Sequence, residues 1–253
     1  MASRTTPSTM PSGVRIHRRT RQSIASLCTM IVVLVLCTAS QGWAVEPLWA
    51  QFEAGVTVRA GNNTTEVFKT SFTEYGAAAF LSQDLVEEGH QAYGVHTSNG
   101  QAAYSATYLE ASQALVTSQV IDGVTSTVTQ GAVDLGCDQE FVGTSGAIRC
   151  VTLWRLNFRP EHDGYVLINF EGSAAQACDG ICYPWSTAVY VKINGETLRY
   201  THSGLNGSPQ MQVPIVAGQD TLLKVELYAG ASGSILSQER TGDFRVVWEI
   251  VEQ

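Results

Sequence analysis

Apolar side chains return at every second position through the second half of this chain. Trp154, Leu156 and Phe158 are separated by Arg155 and Asn157. Val166, Ile168 and Phe170 follow, then Val189, Val191 and Ile193, and then Leu223, Val225 and Leu227 against Lys224, Glu226 and Tyr228. Residues 244–251 close the pattern as F-R-V-V-W-E-I-V. Successive side chains of a strand point to opposite faces, so each run has one face for a core and one for water. Turn residues punctuate the runs at His162-Asp163-Gly164, at 204–209 and at 217–220. Asn194-Gly195 is the strongest short-range hairpin signal in the chain. Short alternating strands at this spacing predict an all-β fold, an antiparallel β-sandwich of jelly-roll type.

The first half is less regular. Residues 48–59 read as a strand and Gly61-Asn62-Asn63 as the turn after it. Residues 77–88 (AAAFLSQDLVEE) suit a short helix or a loop. Residues 91–119 are rich in Ala, Ser, Thr and Tyr, and their alternation predicts strands paired across Ser98-Asn99-Gly100. Alanine alone would allow helix, but Thr and Tyr favour strand. With no internal repeat and no long linker, a single sandwich domain is expected over 45–253, its outline less defined over 45–135.

Residues 1–44 have another character. Arg4, Arg15, Arg18, Arg19 and Arg21 precede the apolar run 27–37, and small residues lead to Gly42-Trp43-Ala44. That is the layout of a secretory signal peptide with cleavage after Ala44, Ala50 being the alternative. The apolar core is shorter than the roughly 18–20 residues that span a bilayer. Cleavage would remove five arginines and no acid, moving the net charge from −8 to −13. So acidic a chain repels nucleic acid and anionic membranes. The expected location is extracytoplasmic, secreted or periplasmic, with no membrane span after signal removal.

Cleavage would also leave four cysteines, Cys137, Cys150, Cys178 and Cys182. An even number in an oxidising compartment reads as two disulfides. Three connectivities are open. Local pairing, Cys137–Cys150 and Cys178–Cys182, is preferred because Asp179-Gly180 is a turn signal between the second pair. A zinc or thioredoxin-like site would want Cys-x2-Cys spacing, which the Cys178 pair lacks.

Three stretches carry a resemblance: Gly164 to Phe170, the turn Ala217 to Asp220, and Asp243-Phe244. They resemble exported bacterial β-sandwich proteins of uncharacterised function. The late turn is similar to that of jelly-roll domains of the complement C1q and tumour-necrosis-factor type and of some carbohydrate-binding modules. The resemblance covers roughly the last 110 residues and implies a fold rather than an activity.

Chemistry-bearing motifs are sparse. Glu161-His162-Asp163 has the composition of an acid–base group or calcium ligand, but after Pro160 and before Gly164 it reads as a turn. His90, His96, His162 and His202 lack metal-ligand spacing, and neither a Gly-x-Ser-x-Gly elbow nor a His-Glu-x-x-His motif occurs. Asn63-Thr64-Thr65 is a formal glycosylation sequon. Aromatics carry the strongest functional signal. Tyr183 and Trp185 fall on the loop beside Cys182, while Tyr190, Tyr200 and Tyr228 are expected on strand faces away from the core. A rigid aromatic platform suits sugar stacking. The expected function is therefore a non-catalytic exported structural or surface-interaction protein, without cofactor, its partner unknown and left open between another copy of itself and a polysaccharide. The alternative is a carbohydrate-binding module for polysaccharide, with a structural calcium. A hydrolase is the third reading.

Overall fold

A computed structural model describes residues 45–75, 88–179, 187–201, 204–206 and 210–253. Residues 42–253 form one compact unit. The proposed signal segment, the stretch 76–87, and Cys182, Tyr183 and Trp185 lie outside the described residues. The described elements are strands, paired antiparallel throughout, in two layers that do not close into a barrel.

Two strands belong to both layers. β6 (Val124–Pro160) and β12 (Thr221–Glu252) pair along nearly their whole lengths, from Thr221↔Phe158 to Glu252↔Thr127. A straight strand of 37 residues would reach about 120 Å, several times the width of a compact fold of this size. The ribbon therefore folds over on itself. The bend lies where β12 shifts register, between Gly233 and Ile235 and again before Ser237. Opposite it, Gly143 has a φ of 137°. A Cβ on Gly146 would strike the Phe141 ring and the Arg59 carbonyl oxygen.

Each half of the ribbon grows outward into a layer. In layer 1 the order is β2 (Asn63–Glu74), β1 (Val45–Ala60), β6, β12, β8 (Ala188–Ile193), β9 (Glu196–Thr201) and β10 (Gly204–Asn206). In layer 2 it is β3 (Glu88–Ser98), β4 (Gln101–Ala111), β6, β12, β7 (Gly164–Asp179) and β11 (Gln210–Ile215). β5 (Leu115–Ile121) pairs with the start of β6 across Asp122-Gly123. Residues 204–206, expected as part of a turn, are instead the short strand β10.

The expected core residues do face inward. Trp154 of layer 1 stacks on Trp248 of layer 2 with ring centres 6.0 Å apart. Around them Phe52, Phe158, Phe244, Leu156, Ile168 and Leu223 are buried. Burial of side chains this large supplies roughly 1.5–3 kcal/mol each. Positive φ at Asn99 and Gly100, at Asp122 and Gly123, and at Asn194 and Gly195 closes three two-residue hairpins. That is the turn geometry that matches strand twist.

One aromatic expectation is overturned. Tyr200 lies directly opposite Val189 and so shares its inward face. It stacks on Phe170 at 5.1 Å and meets Phe244 at 5.4 Å. Tyr190, opposite Arg199, is on the outer face as expected.

The Cys137–Cys150 disulfide is also corrected, because both residues are free thiols, buried between the layers. Cys137 belongs to layer 2 and Cys150 to layer 1. The fold brings the two thiols together as hydrogen-bond partners, and that bond, followed by burial, pushes the Cys150 thiol well up. Facing layers stand about 10 Å apart, beyond the roughly 4.4–6.8 Å between Cα atoms that a disulfide spans. Of the second expected pair, Cys178 is placed only by its backbone, opposite Gln238.

Candidate binding face

The outer face of layer 1 is a continuous surface read off the register. From β2 across to β9, one row runs Phe72, Gln51, Arg155, Lys224, Lys192 and Thr197. The next runs Thr70, Glu53, Leu153, Glu226, Tyr190 and Arg199. A third runs Phe68, Gly55, Val151, Tyr228 and Ala188.

Its β2 edge is aromatic. Phe68 is 53% exposed and Phe72 56% exposed. Phe68 lies over the backbone of Gly55, where a Cβ would fall 2.1 Å from the ring. Phe72 packs against Trp49 at 5.5 Å. Neither phenylalanine has a polar tip, so their outer surfaces present apolar area to water.

Its centre and far side are cationic. Arg149 stands 5.1 Å over the Tyr228 ring, and Lys192 and Arg199 flank the Tyr190 ring at 5.2 and 5.3 Å. The negative face of an aromatic ring attracts a cation, by about 0.5–1 kcal/mol at exposed sites. Arg155 donates to Gln51 at 3.0 Å, and Lys224 pairs with Glu226 at 2.6 Å. With Arg59 and Arg159, seven cations share this face with Glu46, Glu53, Glu66, Glu74 and Glu226.

The outer face of layer 2 is its electrostatic opposite. Glu110, Asp134, Asp138, Glu140, Glu171, Glu239, Asp243 and Glu249 all point outward there, with Arg245 as the single cation among the described residues. Arg245 is paired with Asp134 at 3.3 Å. The β3 edge of this face is apolar. Tyr93 is 61% exposed and meets Tyr104 edge-on at 5.5 Å. A hollow of about 410 Å³ lies beside them, lined by Val95, Tyr104 and Val142 and by the carboxylates Asp138 and Glu140.

Sequence reasoning missed most of these aromatics. Phe68 and Phe72 are four apart in a strand, which places them on one face, but Lys69, Thr70 and Ser71 between them hide the alternation. Of the residues singled out from sequence, Tyr190 and Tyr228 sit on the layer 1 face. Tyr200 is partly buried against the core, and Tyr183 and Trp185 lie outside the described residues.

A second cluster has the residue types of a catalytic site. Ser71, Glu88 and His90 meet at the β2–β3 edge, with His90 Nε2 3.1 Å from Ser71 Oγ and 3.8 Å from Glu88. The Ser71 hydroxyl donates to the Glu88 carboxylate. A nucleophilic triad needs the carboxylate on the other ring nitrogen, leaving Nε2 to take the serine proton. Here carboxylate and imidazole converge on the same hydroxyl, an arrangement that ties two strands together.

The Glu161-His162-Asp163 turn is knitted into the fold. Glu252 accepts the backbone N–H groups of Glu161 and His162 at 2.6 and 3.0 Å. Asp163 accepts from the Ala217 N–H at 2.9 Å. Burial raises the Glu252 carboxyl to about 7, against the lowering effect of those two hydrogen bonds. Among the described residues no group of three or more His, Cys, Asp or Glu side chains is placed to hold a metal ion.

No family model and no curated protein matches the chain. A solved structure it is similar to is a GH31 alpha-xylosidase from Xanthomonas citri, at 6% identity and a TM-score of 0.19. The match covers 64% of this chain and 32% of that one, so the chain spans about a third of the enzyme's length.

Proposed function

We propose that the protein is an exported, non-catalytic surface-interaction protein, and that its interaction surface is the outer face of layer 1. The supporting observation is the pair of half-exposed rings, Phe68 and Phe72, lying beside tyrosines overlaid by cations. Tyr, Trp, Phe and Arg are the residues enriched where proteins bind one another. Trp49 provides the reporter. It touches Phe72 on the face, whereas Trp154 and Trp248 are buried in the core.

The test is intrinsic fluorescence of the chain from Val45, over a protein concentration series and with a polysaccharide panel, with and without calcium. A change that saturates and disappears in Phe68→Ser/Phe72→Ser supports the reading. No change with concentration or with any polymer refutes it. Saturable quenching by a polysaccharide alone would favour carbohydrate binding, the second reading. The flat, exposed phenylalanine rings favour that one, because apolar sugar faces stack on such surfaces.

A further inference from the structure

We propose that the partner of the layer 1 face is the layer 2 face of a second copy of this chain, so that copies stack face to face into an open column. The proposal rests on the reading of layer 1 as an interaction surface and adds its occupant.

Three observations carry it. The first is charge: on one outer face seven cations outnumber five carboxylates, and on the other eight carboxylates stand against one cation. Complementary charge of this kind steers association and fixes register. The second is order. Both layers contain β6 and β12, so their strands align across the sandwich. Phe52 of β1 meets His90 of β3 edge-on at 5.8 Å, and a Cβ on Gly94 of β3 would press on Val56 and Val58 of β1. The β1–β2 edge of layer 1 therefore lies over the β3–β4 edge of layer 2. The aromatic strip of Phe68, Phe72 and Trp49 and the apolar strip of Tyr93, Val95 and Val142 are consequently on the same side of the molecule. Translating one copy along the sandwich normal brings apolar strip onto apolar strip. It also brings Arg59 and Arg149, close to the bend, towards Asp138, Glu140 and Glu239, and Arg155 and Lys192, further from it, towards Asp134 and Glu171. The third is size. Seven strands about 4.8 Å apart, each about eight residues long, give a face of roughly 30 by 30 Å. That is comparable to the roughly 800 Å² each partner contributes to a standard interface.

The two surfaces differ and lie on opposite sides, so the contact is heterologous. A heterologous contact repeated by translation does not close, and it builds filaments.

Sedimentation velocity of the exported chain tests this. At about 0.05 M salt the mass should grow with concentration, and by about 0.5 M salt, where screening is strong, association should weaken at least tenfold. Asp138→Lys/Glu140→Lys should abolish self-association, and so should Arg59→Glu/Arg149→Glu. All four positions are exposed, and unchanged thermal melts would show the fold intact. Mixing the two variants should restore association that neither shows alone. A symmetric dimer, or association that survives both sets of changes, overturns the proposal, and so does a monomer under all conditions. In that last case, quenching of Trp49 by polygalacturonate that Phe72→Ser removes would leave the layer 1 reading standing. Its absence would end both.

Discussion

Layer 1 and layer 2 each lay an aromatic ring over a strand glycine, and the two rings end differently. Phe68 covers Gly55, and Tyr108 covers Gly136. Phe68 has nothing to bond with and remains half exposed. Tyr108 reaches across the sheet and donates its hydroxyl to Asp243, which, after burial, raises its pKa. One backbone device thus yields a free apolar ring in the first face and a fixed polar one in the second. The ribbon supplies the same scaffold to both layers, and the outward residues alone give each face its character.

Alanine at each glycine breaks this comparison with the largest expected effect. At Gly136 a Cβ would fall 2.3 Å from the Tyr108 ring and 2.8 Å from the backbone oxygen of Gly242. The oxygen belongs to a paired central strand and cannot retreat. Gly136→Ala should cost about 3 kcal/mol, the upper end for overpacking. At Gly55 the Cβ meets only the Phe68 ring, which can swing into solvent. Gly55→Ala should cost about 1 kcal/mol. Urea unfolding of both variants checks the order, and equal losses would mean that the two rings are held alike.

Glu252 sharpens the contrast among the carboxylates. It ends the strand that carries Glu239, Asp243 and Glu249 outward, yet it turns inward and is 2% exposed. Its pKa in the folded protein, about 7, is above the ordinary value of 4.5. Between those values the folded state holds the proton more tightly than the unfolded chain does. Stability is therefore fully present below the ordinary value, falls as pH rises through the window, and levels off above it. About 2 kcal/mol should be lost between pH 4.5 and pH 8. Glu252→Gln keeps an acceptor for the two N–H groups and should flatten that slope. A slope unchanged in the variant would place its origin elsewhere.

Tyr108→Phe comes next. It removes the bond to Asp243 and should cost about 1 kcal/mol, while making layer 2 resemble layer 1 at that point. If thermal melts of Tyr108→Phe and the parent coincide, the hydroxyl is not holding the ring.

Much of this was legible in the sequence, and the failures have physical causes. The inward sets around Trp154, Ile168, Val191 and Val225 followed from period two, and Asn194-Gly195 and Asn99-Gly100 marked their hairpins. Tyr200 was recoverable as well. A two-residue turn sets Ile193 opposite Glu196, so Val189 faces Tyr200 and the two share a side. The fold of the ribbon was not legible. Gly143 and Gly146 bend β6 where its pairing with β12 shifts register, and the pairing resumes on both sides, so one strand serves both layers. That bend is also why Cys137 and Cys150 meet while belonging to different layers. The charge division between the faces depends on the same fold. It places Asp138 and Arg149, eleven residues apart on one strand, on opposite sides of the molecule.

The smallest effect tests the division directly, at protein concentrations too low for association. Asp138 has Glu140 two residues along its strand, and Glu239 and Asp243 diagonally across on β12. Diagonal neighbours stand about 7–8 Å apart, within one screening length at moderate salt. Replacing Asp138 with Lys turns three repulsions into attractions and should stabilise the folded chain by a few tenths of a kcal/mol at low salt. Arg149→Glu should do the reverse. It removes the cation from the Tyr228 ring, for a loss of about 0.5 kcal/mol. The Asp138 effect should fade between about 0.02 and 0.5 M salt because it is carried by exposed charges. The Arg149 effect should fade less, since ring and cation are in contact. Opposite signs with unequal salt dependence are what two faces of different construction require, and shifts of the same sign would show that the charges do not divide as the register places them.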